Sequence, residues 1–92
     1  MNRNCRPPNK HSARAKGAER ARLQAKAAQR SAARSLEKSA DSQDQTAKAY
    51  EEAAEYSGRR RNEFLEAAAR HRGFAQEDRR MAQELRQMAD SD

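Results

Sequence analysis

Five cations spaced by four residues, Arg22, Lys26, Arg30, Arg34 and Lys38, are the side chains whose type and spacing could do chemistry in this chain. Four residues turn a helix by about 400°, so this line drifts by about 40° per step and covers roughly 24 Å of axis. Ammonium and guanidinium groups spread in that way neutralise the phosphates of a nucleic acid or another polyanion. No Phe, Tyr or Trp lies among them, so base stacking is not supported. Contact would be made to the backbone, with strong salt dependence and little sequence preference. Five phosphate contacts on a duplex imply a log–log salt slope of roughly −4.5.

Other reactive side chains are sparse. Cys5 is the only cysteine, which rules out an intramolecular disulfide and fits a reducing compartment such as the cytoplasm. Cys5 and His11 are too few for a zinc site, and His71 is far away in sequence. His71 reads instead as an interhelical hydrogen-bonding residue. No spacing matches a nucleophile–base pair, a phosphate loop or a nucleotide fingerprint. The expectation is a protein that is not an enzyme and uses no cofactor and no metal. Arg59, Arg60 and Arg61 have Glu55 and Glu63 within helical reach, so they read as a solvated face.

The elements that must position these cations are helices. Of the 92 residues 35% are hydrophobic, but 20 are Ala, with no Val, Ile or Trp and one Thr. Strands favour β-branched and aromatic residues, whereas Ala, Arg, Glu, Gln, Lys, Leu and Met form helices. The fold class is therefore all-α. Only four Leu, three Met, two Phe and two Tyr supply bulk. A chain this short with so thin a core is marginal by itself, so self-association or a partner is expected.

The stretch Thr46 to Met88 carries a heptad pattern. Alternate steps of four and three give Thr46, Tyr50, Ala53, Ser57, Arg60, Phe64, Ala67, His71, Phe74, Asp78, Met81, Leu85 and Met88. This is the spacing of a helix-pairing seam. Asp78 reads as a register-setting polar position within it. In the first half, Ala18, Ala21, Ala25, Ala28 and Ala32, then Ser35 and Ser39, repeat in the same steps. Small residues in such a line let another backbone approach.

These patterns divide the chain into a disordered basic arm at 1–11, where Pro7-Pro8 forbids helix, and a basic Ala-rich helix at 12–39. A linker at 40–45 follows, because Ser and Asp favour caps and turns. A heptad-patterned amphipathic helix at 46–90 completes the chain, with a bend expected, if any, at Gly58 or Gly73. The expected architecture is an antiparallel, coiled-coil-like helical hairpin whose long second helix overhangs the first. Its exposed end, with Phe64, Phe74, Met81, Leu85 and Met88, is the expected interface for a homodimer or a heterologous helical partner.

Charge separates the two parts. Residues 1–39 hold 11 Lys/Arg against Glu19 and Glu37, a net +9, and residues 40–92 hold nine against 12 Asp/Glu, a net −3. No apolar run is long enough for a membrane span or a signal peptide. The Arg-, Ser- and Ala-rich first part shares its composition with transit peptides, but beyond Leu23 and Leu36 it offers little amphipathic face. Two functions fit: a non-catalytic binder of RNA, DNA or a ribonucleoprotein, or a protein–protein adaptor whose basic part only solubilises it.

Overall fold

The computed structural model describes residues 10–91, the first three of them as backbone alone. Two helices account for nearly all of it: α1 (Lys10–Tyr56) and α2 (Arg61–Asp90). They pack along each other as an antiparallel hairpin. No helix among the described residues is long and apolar enough to cross a membrane.

The seam is made of alanine methyls. Ala33, Ala40, Ala47 and Ala54 on α1 are 0–2% exposed, and Ala68, Ala75, Ala82 and Ala89 on α2 are 0–2% exposed. Each set repeats every seven residues, which keeps one line of each helix facing its neighbour. Among the described residues, no side chain larger than Ala is fully buried. Such small contacts put the helix axes at the short end of the usual 8–10 Å range.

Register comes from one flank of that seam. Glu37, Asp44 and Glu51 on α1, again seven apart, meet Arg86, Arg79 and Arg72 on α2. The two residue numbers of every pair add to 123, as an antiparallel register requires. The buried alanines follow to within one residue, Ala33 with Ala89 and Ala47 with Ala75 both adding to 122. Glu37 grips Arg86 through two bonds of 2.6 and 3.0 Å, and Glu51 grips Arg72 through two of 2.6 and 2.9 Å. These are fork-to-fork contacts, which fix geometry as well as charge. Arg79 reaches both Asp41 at 3.1 Å and Asp44 at 2.7 Å. A slip by one heptad would leave an end pair unmade.

Two sequence expectations are corrected. First, α1 runs without interruption through 40–45. The residues read there as turn formers are cross-helix partners instead: Asp41 and Asp44 hold Arg79, and Gln43 meets His71. Tertiary contacts override local preference, as Ala40 and Ala47 on either side are buried against α2. Second, the chain reverses at residues 57–60, around Gly58, so α1 has 47 residues and α2 only 30. The long helix is the first, and the overhang belongs to its N-terminal part. The helix begins by Lys10 rather than Ser12; the rest of the expected arm, 1–9, lies outside the described residues. Of the two glycines at which a bend was expected, if any, only Gly58 marks a break, and α2 passes through Gly73 as helix.

No side chain caps the start of α2. Arg60 instead bonds Glu63 at 3.1 Å, and its guanidinium lies 5.1 Å from the Phe64 ring centre. A cation over a ring face is attracted by the ring quadrupole. At the other end the Ser91 amide donates to the Gln87 carbonyl at 3.0 Å, and the Ser91 hydroxyl to Met88 at 2.9 Å.

The ionic flank carries a pH dependence. Hydrogen bonds from Arg86 and Arg72 hold the carboxyls of Glu37 and Glu51 below their ordinary value of 4.5. Their contribution is fully present above that value and is lost as pH falls through the lowered one. Thermal melts should therefore be level from pH 7 to about 5.5 and fall at more acid pH. In Glu37→Gln/Glu51→Gln the melting temperature should be lower at pH 7 and the acid slope shallower. An acid slope as steep as that of the wild type would show that these pairs do not contribute.

Candidate polyanion-binding helix end

Where α2 stops decides which cations lie alongside it. Asp90, its last residue, meets Arg30 at 3.3 Å. Residues 10–29 of α1 project beyond that point, roughly 30 Å of helix at 1.5 Å per residue. From Ala13 to Ala25 every side chain is exposed, and Lys26 and Gln29 are half-buried. Residues 10–29 hold six Lys/Arg against Glu19. The Arg22–Glu19 pair, at 3.9 Å, is long and exposed, so its contribution is small.

The predicted stripe is divided by this boundary. Arg22 and Lys26 lie on the projecting part. Arg30 sits at the junction, held by Asp90. Arg34 and Lys38 are exposed alongside α2, and the charge of Arg34 helps to lower the pKa of Glu37. The drift of about 40° per step takes the line from the face that continues the alanine seam, at Lys26, to the back of the hairpin, at Lys38. One straight polyanion does not meet all five. Arg14 continues the spacing of four past Ala18, Lys16 and Arg20 lie beside that line, and all three are on the projecting helix. Only the position of the α2 terminus singles them out.

The expected partner surface is not the seam between the helices. Phe64 and Leu85 are half-buried, and Phe74, Met81 and Met88 are 48, 37 and 53% exposed. The buried line on α2 is one residue later than the last three, at Ala75, Ala82 and Ala89. Bulky side chains cannot enter a gap set by alanine methyls, so they stand along its edge. That edge is the flank opposite the ion pairs. On it the Tyr50 and His71 rings stack at 5.7 Å, with Phe74 edge-on to His71 at 5.8 Å and Phe64 tilted against Tyr50 at 6.1 Å. The two seam polar residues behave as their spacing suggested. His71 Nδ1 lies 2.5 Å from Gln43 Oε1, where it donates to the amide oxygen, and Asp78 accepts from the Ser39 hydroxyl at 2.7 Å.

The small-residue line of α1 is not the buried seam either. Ala18, Ala21, Ala25, Ala28, Ala32, Ser35 and Ser39 are all exposed. Cys5 lies outside the described residues, as does the side chain of His11. Among the described residues no cluster of His, Cys, Asp or Glu could hold a metal ion. No protein-family model, curated protein or solved structure matches this chain.

Proposed function

We propose that this is a non-catalytic polyanion-binding protein in which the hairpin is a rigid base and the projecting end of α1 is the contact element. One observation carries the reading: the longer helix extends past its partner where its charge is most one-sided, six Lys/Arg against one Glu over residues 10–29. Within the hairpin the cations of the ionic flank are answered. Arg72, Arg79 and Arg86 each have carboxylate partners. The contact set is thus moved towards the N-terminus relative to the spaced stripe: Arg14, Lys16, Arg20, Arg22 and Lys26, with Arg34 and Lys38 secondary. RNA, DNA and ribonucleoprotein surfaces share the phosphate chemistry such a helix would meet.

Fluorescence anisotropy with two unrelated duplexes tests it. Arg20→Gln should weaken both duplexes equally, by several-fold at low salt, because a phosphate contact carries no sequence information. Arg80→Gln, on the exposed outer surface of α2, should have little effect. No binding at low salt, or a dependence on Arg80 and not Arg20, would reject the reading. The adaptor function would then stand on the exposed aromatic and methionine flank.

A further inference from the structure

We propose that two copies of this chain pair through the flank opposite the ion pairs, α2 of each laid along α1 of the other, so that both basic helix ends leave the four-helix assembly on the same side.

That flank holds a ridge and a groove. On α2, Phe74, Met81 and Met88 stand seven residues apart and 37–53% exposed. On α1 the same flank has Ala32, Ser39, Thr46 and Ala53, also seven apart. Between them fall Ala28, Ser35, Ser42 and Ala49, all exposed and none larger than Ser. The Ser39–Asp78 and Gln43–His71 bonds show that ridge and groove lie on one side of the hairpin. The Arg–carboxylate pairs line the other side.

A face with both features at the same repeat is complementary to itself. An isologous dimer needs this property, since each patch meets its own copy. The direction of the two-fold axis follows. An axis along the hairpin places the ridge of one copy over the groove of the other, twice. An axis across the hairpin would set ridge on ridge and groove on groove, leaving a gap. Only the first arrangement fills space, and it sends both α1 extensions out of the same end.

Energy favours a second copy as well. The hairpin buries alanine methyls and leaves its Phe and Met side chains at the edge. Small chains that cannot bury bulk internally gain stability from oligomerisation. The two helices overlap for about 40 Å, from Arg30 to Tyr56 on α1, and together are about 20 Å wide. Each copy would cover about 800 Å², the usual size of a stable interface per partner. Of the polar groups on the flank, Asp78, Ser39, His71 and Gln43 already have hydrogen-bond partners, so covering them costs less.

Sedimentation equilibrium of the full chain over a concentration series, without any polyanion, tests the pairing. The wild type should be a dimer. Met81→Asp on the ridge and Ser42→Arg in the groove should each give monomers with unchanged helix content by circular dichroism, since both side chains are exposed in the hairpin. Glu52→Lys, exposed on α1 outside this flank, should remain a dimer. Spin labels at Ala15→Cys in a Cys5→Ser background should lie within about 30 Å of each other, given helix spacings of 8–10 Å. Arms at opposite ends would be about 100 Å apart at 1.5 Å per residue. A wild type monomeric throughout would overturn the proposal and assign the flank to a different protein. A dimer that survives both substitutions, or labels about 100 Å apart, would overturn it equally. None of these results bears on whether the helix end binds phosphate.

Discussion

Replacing Ala75 and Ala82 together with Leu should destabilise this protein, although Leu at a heptad seam usually strengthens a coiled coil. Both alanines are at most 1% exposed and face alanines of the other helix. Inserting a larger side chain into filled space costs about 1–3 kcal/mol per site. A domain of this size has about 4–12 kcal/mol in total. The double variant therefore loses a large share of its stability. Separating the helices would also lengthen the Arg79 contacts to Asp41 and Asp44, now 3.1 and 2.7 Å. The measurement is thermal unfolding of Ala75→Leu/Ala82→Leu beside Ala27→Leu/Ala69→Leu, whose positions are exposed. The seam pair should melt many degrees lower, and the surface pair close to the wild type. A rise in melting temperature for the seam pair would mean that the helices are not held at alanine distance.

That expectation shows why the seam was hard to read from sequence. With 20 Ala in 92 residues, a repeat of Ala every seventh position has many rivals. The larger residues Phe64, Phe74, Met81, Leu85 and Met88 drew the seam to themselves. They mark its edge, because the closest helix contact excludes bulk. The decisive signal was charge: Glu37, Asp44 and Glu51 on one helix and Arg72, Arg79 and Arg86 on the other, each seven apart. Two such lines of opposite sign predict a heptad-spaced pairing before any apolar residue is considered, and the short connection at 57–60 makes it antiparallel. Helix class and hairpin topology were legible because composition dictates helices and a single break, wherever it falls, folds them back on each other. The linker was misplaced because Asp41, Ser42, Gln43 and Asp44 have turn-forming side chains, and sequence alone cannot tell a cap from a cross-helix partner. Placing the break at 40–45 instead of 57–60 reversed which helix overhangs. The candidate site moved with it, from Arg22–Lys38 towards Arg14–Lys26.

Salt sensitivity is the sharpest measure of that relocated site. Five cations, Arg14, Lys16, Arg20, Arg22 and Lys26, can each displace a counterion from duplex phosphates, at about 0.9 per contact. Five contacts give a log–log slope near −4.5 and a loss of about 500-fold in affinity between 50 and 200 mM salt. Arg14→Gln/Arg20→Gln/Arg22→Gln removes three, which brings the slope near −1.8 and the loss to about 12-fold. Arg34→Gln/Lys38→Gln should leave the slope nearly unchanged if the projecting end is the contact element. The alternative, in which the spaced stripe acts as one surface, assigns these two residues the same weight as Arg22. Slopes measured for the three proteins on one duplex separate the two cases. A slope that drops by about 2 in the Arg34/Lys38 variant, and by only about 1 in the triple variant through Arg22, would return the contact surface to the stripe along the hairpin.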